Sequence, residues 1–280
     1  ERLHKQLGAV TDRIDLLRLE SQGPGLIQRV ALAMPPEGPT PRPILRVLGL
    51  FAVAALILAF GVPAVVDATD QHVHSPLDVE AVIEARTLGW ILERRPQTEA
   101  FVHDQVRRLA LSLDRERRLF NRTQFVFTSL RPGGGTTTLV LDIARELRAI
   151  GARVVVVEAN VLHPDPRLAP PEGRPGLAMV LSGAARIDDA LMPAHDGYPE
   201  YIPIGDMGGK PHLDGCRNVR PLLDRLAGRF EMVLLDAPPI LYSSDAELLA
   251  GGAHAAILVV EAEKVVTGEV KRALQILRQV

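Results

Sequence analysis

A glycine-rich turn between a short apolar strand and a helix limits the fold of this chain more than any other feature. Residues 125–127 are Phe-Val-Phe, residues 132–135 are Pro-Gly-Gly-Gly, and residues 139–147 have the spacing of an amphipathic helix. A strand, a glycine-rich turn and a helix N-terminus are the setting in which backbone N–H groups bind phosphate. The sequence therefore predicts an α/β domain with a phosphate-binding loop, and a plain tight turn is the alternative.

The predicted loop lacks the lysine that phosphate-binding loops carry. Thr136 stands at the lysine position, so the positive charge that neutralises the β- and γ-phosphates is absent. The backbone N–H groups can still bind phosphate, and the hydroxyl of Thr137 can still reach Mg²⁺. The residues expected to contact a nucleotide are Gly133, Gly134, Gly135, Thr136, Thr137 and Thr138.

Downstream of the loop the chain alternates between strand and helix patterns. We predict strands near 124–129, 153–159, 200–204, 231–236 and 255–261, and helices at 137–150, near 176–192, at 218–228, at 244–251 and from 267 onward. The strands at 153–159 and 231–236 are apolar on both faces, which is typical of a parallel sheet covered by helices on each side. The predicted fold class is therefore α/β, with a mostly parallel sheet and helices on both faces.

Two carboxylates end predicted strands and are candidates for the chemistry of the site. Glu158 ends the second strand, two residues before Asn160, and Asp236 ends the fourth. Open α/β sheets bind ligands at the carboxyl ends of their strands, so these side chains should converge with the loop. We name Glu158 and Asp236 as candidate catalytic residues, and Thr137 with Asp236 as candidate Mg²⁺ ligands. The alternatives are that Asp236 only caps a loop and that Glu158 is solvated.

A run of twenty residues without a polar side chain occupies positions 47–66. As a helix it would be about 30 Å long, which is the thickness of the hydrocarbon core of a bilayer. A fully buried core helix is the alternative, but such helices rarely lack polar residues over this length. We predict a transmembrane helix at 44–66.

The segments on either side of the predicted span have different patterns. Residues 1–43 combine a heptad-like apolar repeat, which fits the end of a coiled coil or an ordinary amphipathic helix, with a proline-rich linker at 35–43. Residues 67–114 form a juxtamembrane linker that is polar and has a helical pattern from 78 onward. The heptad-like positions are Leu3, Leu7, Val10, Ile14 and Leu17.

The orientation of the span is predicted differently by its flanking charges and by the type of domain that follows it. Arg42 and Arg46 precede the span and Asp67 and Asp70 follow it, so the positive-inside rule places its N-terminal side in the cytoplasm. A nucleotide-binding α/β domain is expected in the cytoplasm, where nucleotides are, which places the C-terminal side of the span in the cytoplasm instead. We follow the domain argument, which makes residues 1–43 periplasmic and residues 115–280 a cytoplasmic α/β domain.

Composition excludes several other classes of site. The formal net charge is −2, so no basic field points to nucleic acid as a partner. The single cysteine, Cys216, rules out a disulfide framework and a cysteine zinc cluster, and the close pair His72 and His74 fits solvated side chains better than metal ligands. The chain begins at Glu1 without a methionine and ends at Val280 within a helical pattern, so we expect a C-terminally truncated fragment.

Taken together, the motifs resemble the bacterial tyrosine kinase (BY-kinase) family. The proline-rich approach to the span and residues 77–80 resemble the polysaccharide co-polymerases, or chain-length determinant proteins, that carry this kinase as a cytoplasmic domain. The resemblance covers nearly the whole chain. The matching segments are 128–138 (TSLRPGGGTTT), 157–160 (VEAN), 235–239 (LDAPP) with 244–246 (SDA), 175–177 with 180–183, and 202–205.

This resemblance implies a deviant phosphate-loop NTPase fold, preceded by a transmembrane helix and the end of a helical periplasmic segment. It implies ATP or ADP with Mg²⁺ as the cofactor, and a bacterial inner-membrane protein that forms homo-oligomers. It also implies a role in the assembly and export of exopolysaccharide, capsule or O-antigen, beside the polymerase and export machinery.

Several positions depart from the family pattern. Thr136 replaces the loop lysine, which should weaken nucleotide binding about 10- to 100-fold and phosphoryl transfer still more. Asn160 replaces the second acid of the family's Asp-x-Asp motif and cannot act as a base. Val102 and Gln105, after Glu99, replace the two arginines of the helix that docks on a neighbouring subunit, so the family's ring is not expected.

We therefore predict a polysaccharide co-polymerase whose cytoplasmic domain is a degenerate, inactive kinase that acts as a scaffold. One alternative is an active tyrosine autokinase that borrows a cation from Lys210 or Lys264, or from Arg131, which is expected to point away because it precedes Pro132. Another alternative is a partitioning-type ATPase of the same fold, against which the membrane span argues. The domain tyrosines, expected to be structural, are Tyr198, Tyr201 and Tyr242.

Overall fold

A computed structural model describes residues 2–22, 38, 44–69, 72–73, 80, 87–195, 197–210, 212–213 and 219–280. The chain divides into two compact units, Glu1–Thr69 and Asp70–Val280. Cys216, His74 and, apart from Gly38, the predicted proline-rich linker lie outside the described residues.

The first unit contains helices in its described residues. They are α1 (Arg2–Gln22), α2 (Ile44–Leu56), a π-helical turn (Ile57–Gly61) and α3 (Val62–Thr69). The apolar heptad-like side chains of α1 are all exposed. The continuous helix Ile44–Val65 has a mean hydropathy of 2.5 and is not buried in the protein, so it is not a core helix. By length and composition it can cross a membrane, and among the described residues it alone can.

The second unit holds the sheet and the helices that cover it. In chain order they are α4 (Glu99–Phe120), β1 (Gln124–Ser129), α5 (Thr136–Ala149), β2 (Val154–Glu158), a 3₁₀ turn (Pro166–Leu168), α6 (Leu177–Leu181), α7 (Ile187–Ala190), β3 (Glu200–Ile202), α8 (Val219–Ala227), β4 (Met232–Asp236), α9 (Ser244–Gly252), β5 (Ala255–Val259) and α10 (Thr267–Leu277).

The five strands form one parallel sheet in the order β3-β2-β4-β1-β5. Alternate residues of the central strands enter two separate apolar cores. Val155 and Leu235 pack with α6, α8 and α9 on one face, whereas Val156 and Leu234 pack with α4 and α5 on the other. Burial of each such side chain stabilises the fold by about 1.5–3 kcal/mol. The predicted α/β class, with helices on both faces of a parallel sheet, is confirmed.

The helix before the sheet begins later and ends later than its sequence pattern predicts. Glu80 is helical, whereas residues 87–95 are not and residues 96–98 form a turn. Pro96 disfavours helix at Arg95, directly before it. The Thr98 hydroxyl accepts the Arg95 N–H at 3.0 Å and donates to the Glu93 carbonyl at 2.8 Å. Helix α4 then runs from Glu99 to Phe120, so the predicted boundary between residues 114 and 115 falls inside it.

Helix α4 packs on the sheet with the face that carries Val102. Val102, at the position of the family's first arginine, is buried in the same core as Phe125 and Leu234. An arginine there would place its charge in an apolar interior, which costs several kcal/mol without a partner. The packing of this domain therefore favours valine over arginine at position 102.

Gly176 and Gly205 bring two loops into backbone contact, and we expect Gly176→Ala to destabilise the protein. A Cβ on Gly176 would lie 2.4 Å from the Cα of Gly205, so the loops would have to separate. That separation would also strain the hydrogen bond from the Leu177 N–H to the Pro203 carbonyl, which is 2.7 Å long. The free energy of unfolding should fall by about 1–3 kcal/mol.

The measurement is urea unfolding of the full chain in detergent micelles, followed by fluorescence of Trp90, the chain's single tryptophan. The matched control is Gly268→Ala in helix α10, where an added Cβ meets nothing within 4 Å. This substitution should leave stability unchanged or raise it by up to about 1 kcal/mol. Equal effects of the two substitutions would contradict the packing argument.

Candidate functional site

Three segments converge at the carboxyl edge of the sheet, as the order of strand and helix patterns predicts. Strand β4 lies between β1 and β2, and its last residue, Asp236, is in register with Phe127 of β1 and Glu158 of β2. The loop that leaves β1 therefore starts beside Asp236 and Glu158. This edge is where open parallel sheets bind ligands.

The glycine-rich loop has a conformation that side chains would disturb. Gly133 and Gly135 have φ angles of 81° and 75°, in the left-handed region that favours glycine. A Cβ on Gly134 would lie 2.8 Å from the Cβ of Ser129. Helix α5 begins at Thr136, directly after Gly135, so the loop leads into a helix N-terminus. A helix N-terminus preceded by such a loop directs backbone N–H groups toward an anion.

Thr136 puts a buried hydroxyl where the lysine of such loops would be. The residue is 5% exposed, and its Oγ1 is buried without a hydrogen-bond partner among the described residues. The loop thus keeps its backbone geometry and carries no positive charge of its own at this position. An uncompensated buried hydroxyl also costs stability.

Thr137 and Asp236 form a direct contact beneath the loop. The Thr137 hydroxyl donates to Asp236 Oδ2 at 2.5 Å, and the other carboxylate oxygen, Oδ1, is buried without a partner among the described residues. Burial raises the pKa of Asp236 to about 7, against the opposing effect of the Thr137 hydrogen bond. A carboxylate oxygen and a hydroxyl at this spacing suit the hard oxygen preference of Mg²⁺. These two side chains therefore fit a magnesium ion, which would supply positive charge beside the phosphate loop.

Glu158 is neither solvated nor free to act in the cleft. It is 1% exposed, and its two carboxylate oxygens accept the N–H groups of Asp165 at 2.6 Å and Ile204 at 3.0 Å. Burial raises its pKa, although these two hydrogen bonds oppose the rise. The neighbouring Asn160 accepts the His163 N–H at 3.3 Å. Both side chains of this motif thus hold the loop that follows β2.

We expect Glu158→Ala to destabilise the protein by about 3 kcal/mol, because the buried N–H of Ile204 and the partly buried N–H of Asp165 would lose their acceptor. Asn160→Ala is the matched control and should cost about 1 kcal/mol, since it loses one longer hydrogen bond. Urea unfolding of the full chain in micelles measures both. A Glu158→Ala variant as stable as the native protein would show that Glu158 does not anchor this loop.

Two of the cations named as possible substitutes for the missing lysine are bound to other residues. Arg131 donates to Glu269 Oε1 at 2.7 and 3.1 Å and to the Lys264 carbonyl at 3.2 Å, so it points away from the loop, as expected from Pro132. The Lys264 ammonium is paired with Glu261.

Arg167 is a cation beside the loop that the sequence motifs do not reveal. Its Nη2 lies 3.4 Å from the hydroxyl of Thr138 in the first turn of α5. Its guanidinium also binds the Asp165 carboxylate, at 2.6 to 3.1 Å. The sequence signal for Arg167 is its position in the loop after β2, which lies at the same edge of the sheet as the phosphate loop. The matching motif segment ends at Asn160 and so does not include Arg167.

The domain tyrosines are not equivalent. Tyr201 is buried, and the ring of Tyr198 lies 4.5 Å from the guanidinium carbon of Arg145. Tyr242 is 58% exposed, so it is not a core residue. Among the described tyrosines, Tyr242 presents its ring most openly to solvent.

Comparison with known proteins identifies relatives among bacterial tyrosine kinases. Tyrosine-protein kinase YwqD of Bacillus subtilis is 26% identical over 141 residues, which cover 50% of this chain and 60% of YwqD. The putative tyrosine-protein kinase EpsB of Ralstonia solanacearum is 24% identical over 254 residues, which cover 82% of this chain and 32% of EpsB. No protein-family model matches the chain.

A solved structure shows the same fold. The kinase domain of the Escherichia coli tyrosine kinase ETK matches with a TM-score of 0.66 at 19% identity, covering 74% of this chain and 89% of that domain. The chain spans less than two thirds of the length of either YwqD or EpsB. In sequence it is similar to the bacterial tyrosine kinases, and in fold it matches their phosphate-loop kinase domains, as its motifs predict.

Proposed function

We propose that this chain is a membrane-anchored polysaccharide co-polymerase whose kinase-like domain no longer transfers phosphate. It would regulate chain length in exopolysaccharide, capsule or O-antigen synthesis as a scaffold for the polymerase and export machinery. The observation that carries the proposal is the phosphate loop, which keeps its backbone conformation and its Thr137–Asp236 contact but has Thr136 in place of lysine.

Loss of catalysis follows from the charges at the site. Phosphoryl transfer depends on cations that stabilise charge on the transferred group, and the lysine position supplies none. Glu158 and Asn160 are engaged with backbone N–H groups, so they offer no free base. Asp236, with a pKa of about 7, is partly protonated at neutral pH until a metal ion binds.

The membrane anchor is supported by two observations. The helix Ile44–Val65 is long and apolar enough to span a bilayer. The similarity to EpsB covers 82% of the chain, more than the three quarters that Asp70–Val280 represents, so it includes part of the preceding unit. In the proposed arrangement the α/β domain lies in the cytoplasm of the bacterial inner membrane, and the protein forms homo-oligomers.

Loss of kinase activity is tested on the full chain in detergent micelles. After incubation with Mg-ATP, phosphotyrosine is measured by mass spectrometry and by antibody, with a sample lacking ATP as the control. We expect no phosphotyrosine above that control. A stoichiometric signal, for example on the exposed Tyr242, would contradict the loss of catalysis and support an active autokinase.

The scaffold role is tested separately in the source bacterium. Deleting the gene should change the length distribution of the surface or secreted polysaccharide, measured by size-exclusion chromatography, and the intact gene should restore it. An unchanged distribution in the deletion strain would contradict the co-polymerase role, whatever the outcome of the kinase assay.

A further inference from the structure

Arg167 places a guanidinium at the mouth of the phosphate loop. Its Nη2 lies 3.4 Å from the Thr138 hydroxyl, in the first turn of helix α5. The side chain is 43% exposed, so a ligand bound at that helix N-terminus can reach it. A cation next to free helix N–H groups is suited to bind an anion.

The turn that carries Arg167 is held firmly in place. Asp165 accepts the Arg167 N–H at 2.9 Å, and the Asp165 N–H is itself bound by the buried Glu158. Leu168, the next residue, is fully buried in the core. The backbone of Arg167 is therefore fixed beside the loop, which lowers the entropic cost of using its side chain to bind a ligand.

Asp165 binds only some of the N–H donors of the guanidinium. The carboxylate accepts from Nε and Nη2, and an arginine side chain has five N–H donors in total. The arginine in turn holds the pKa of Asp165 below its usual range. A phosphate group carries more negative charge than one carboxylate, so a phosphate on the loop can accept hydrogen bonds from some of these N–H donors.

We propose that Arg167 is the phosphate-binding cation of this site, in place of the loop lysine. Its ligand is the phosphate chain of a nucleoside di- or triphosphate on the loop of residues 133–138. The inference rests on the proposed function, since it takes the loop to be a nucleotide site that no longer supports catalysis. The domain would then still bind nucleotide, and the bound nucleotide would act as a regulatory signal. Arg167 would raise the affinity, and Asp165 would lower it by competing for the guanidinium.

The test is calorimetric titration of Mg-ADP into the full chain in detergent micelles. Arg167→Ala should weaken binding about tenfold or more, because it removes a charge-assisted contact. Arg167→Lys keeps the positive charge but lacks the planar guanidinium, which can bind two oxygens at once. Its affinity for Mg-ADP should therefore lie between those of the native protein and Arg167→Ala. Asp165→Asn should strengthen binding several-fold, since it releases the guanidinium and removes a negative charge beside the phosphates.

The matched control is Arg186→Ala, which removes an exposed arginine that also lies two residues from an aspartate partner, Asp188, but does not contact the loop. This variant should bind like the native protein. Native binding that is undiminished in Arg167→Ala would overturn the proposal, as would the absence of native binding at millimolar Mg-ADP. Phosphotyrosine formation and polysaccharide length are measured independently of this titration, so failure of this inference can be told apart from failure of the proposed function.

Discussion

Thr136→Lys is expected to raise the affinity for Mg-ATP and Mg-ADP by about 10- to 100-fold. The loop around residue 136 already has the backbone conformation of a phosphate site, so the new ammonium group would meet the phosphates without a rearrangement. A charge-assisted hydrogen bond contributes about 1.5–3 kcal/mol, which corresponds to one to two powers of ten in affinity. Calorimetric titration of both nucleotides into the full chain in micelles measures the change.

The control for this substitution is Thr136→Ala, which removes the buried hydroxyl without adding charge. Its affinity should stay well below that of Thr136→Lys, because it adds no positive charge to the loop. Micromolar binding by the native protein, with no gain in Thr136→Lys, would contradict the argument. That result would show that the missing lysine does not limit nucleotide binding.

The fold of the Asp70–Val280 unit could be predicted well because its signals are local. Strands β2 and β4 are apolar on both faces, which is typical of a parallel sheet between two helical layers. Their observed bounds lie within one residue of the predicted ones. The helical pattern alone misplaces the start of α4, because it runs through Pro96 and Thr98, where the structure has a turn directly before Glu99.

The candidate site could be predicted only as far as the positions of backbone segments. Topology alone brings the loop, Glu158 and Asp236 to one edge of the sheet. What each side chain does there depends on partners from distant parts of the sequence. Glu158 accepts the N–H of Ile204, 46 residues away, and Arg167 meets Thr138, 29 residues away. No pattern in one sequence reveals contacts of this kind.

Asp236→Asn is expected to stabilise the protein at neutral and alkaline pH, in buffer with EDTA to exclude metal ions. The pKa of Asp236 is raised by burial from 3.8 to about 7, so the folded protein holds this proton more tightly than the unfolded chain. The stability that Asp236 contributes is therefore fully present below about pH 4 and is lost as the pH rises through about 7. Asparagine stays neutral and avoids this loss.

The gain from Asp236→Asn should thus be near zero at pH 4, grow up to pH 7 and level off above it at about 4 kcal/mol, from 1.36 kcal/mol per pKa unit. Urea unfolding of both proteins, followed by Trp90 fluorescence, gives the profile. Thr137→Val should lower stability at pH 8 by removing the hydrogen bond to the carboxylate. Thr136→Val should not, since its hydroxyl has no partner to lose. Parallel pH profiles for Asp236→Asn and the native protein would show that this carboxylate is not the titrating group.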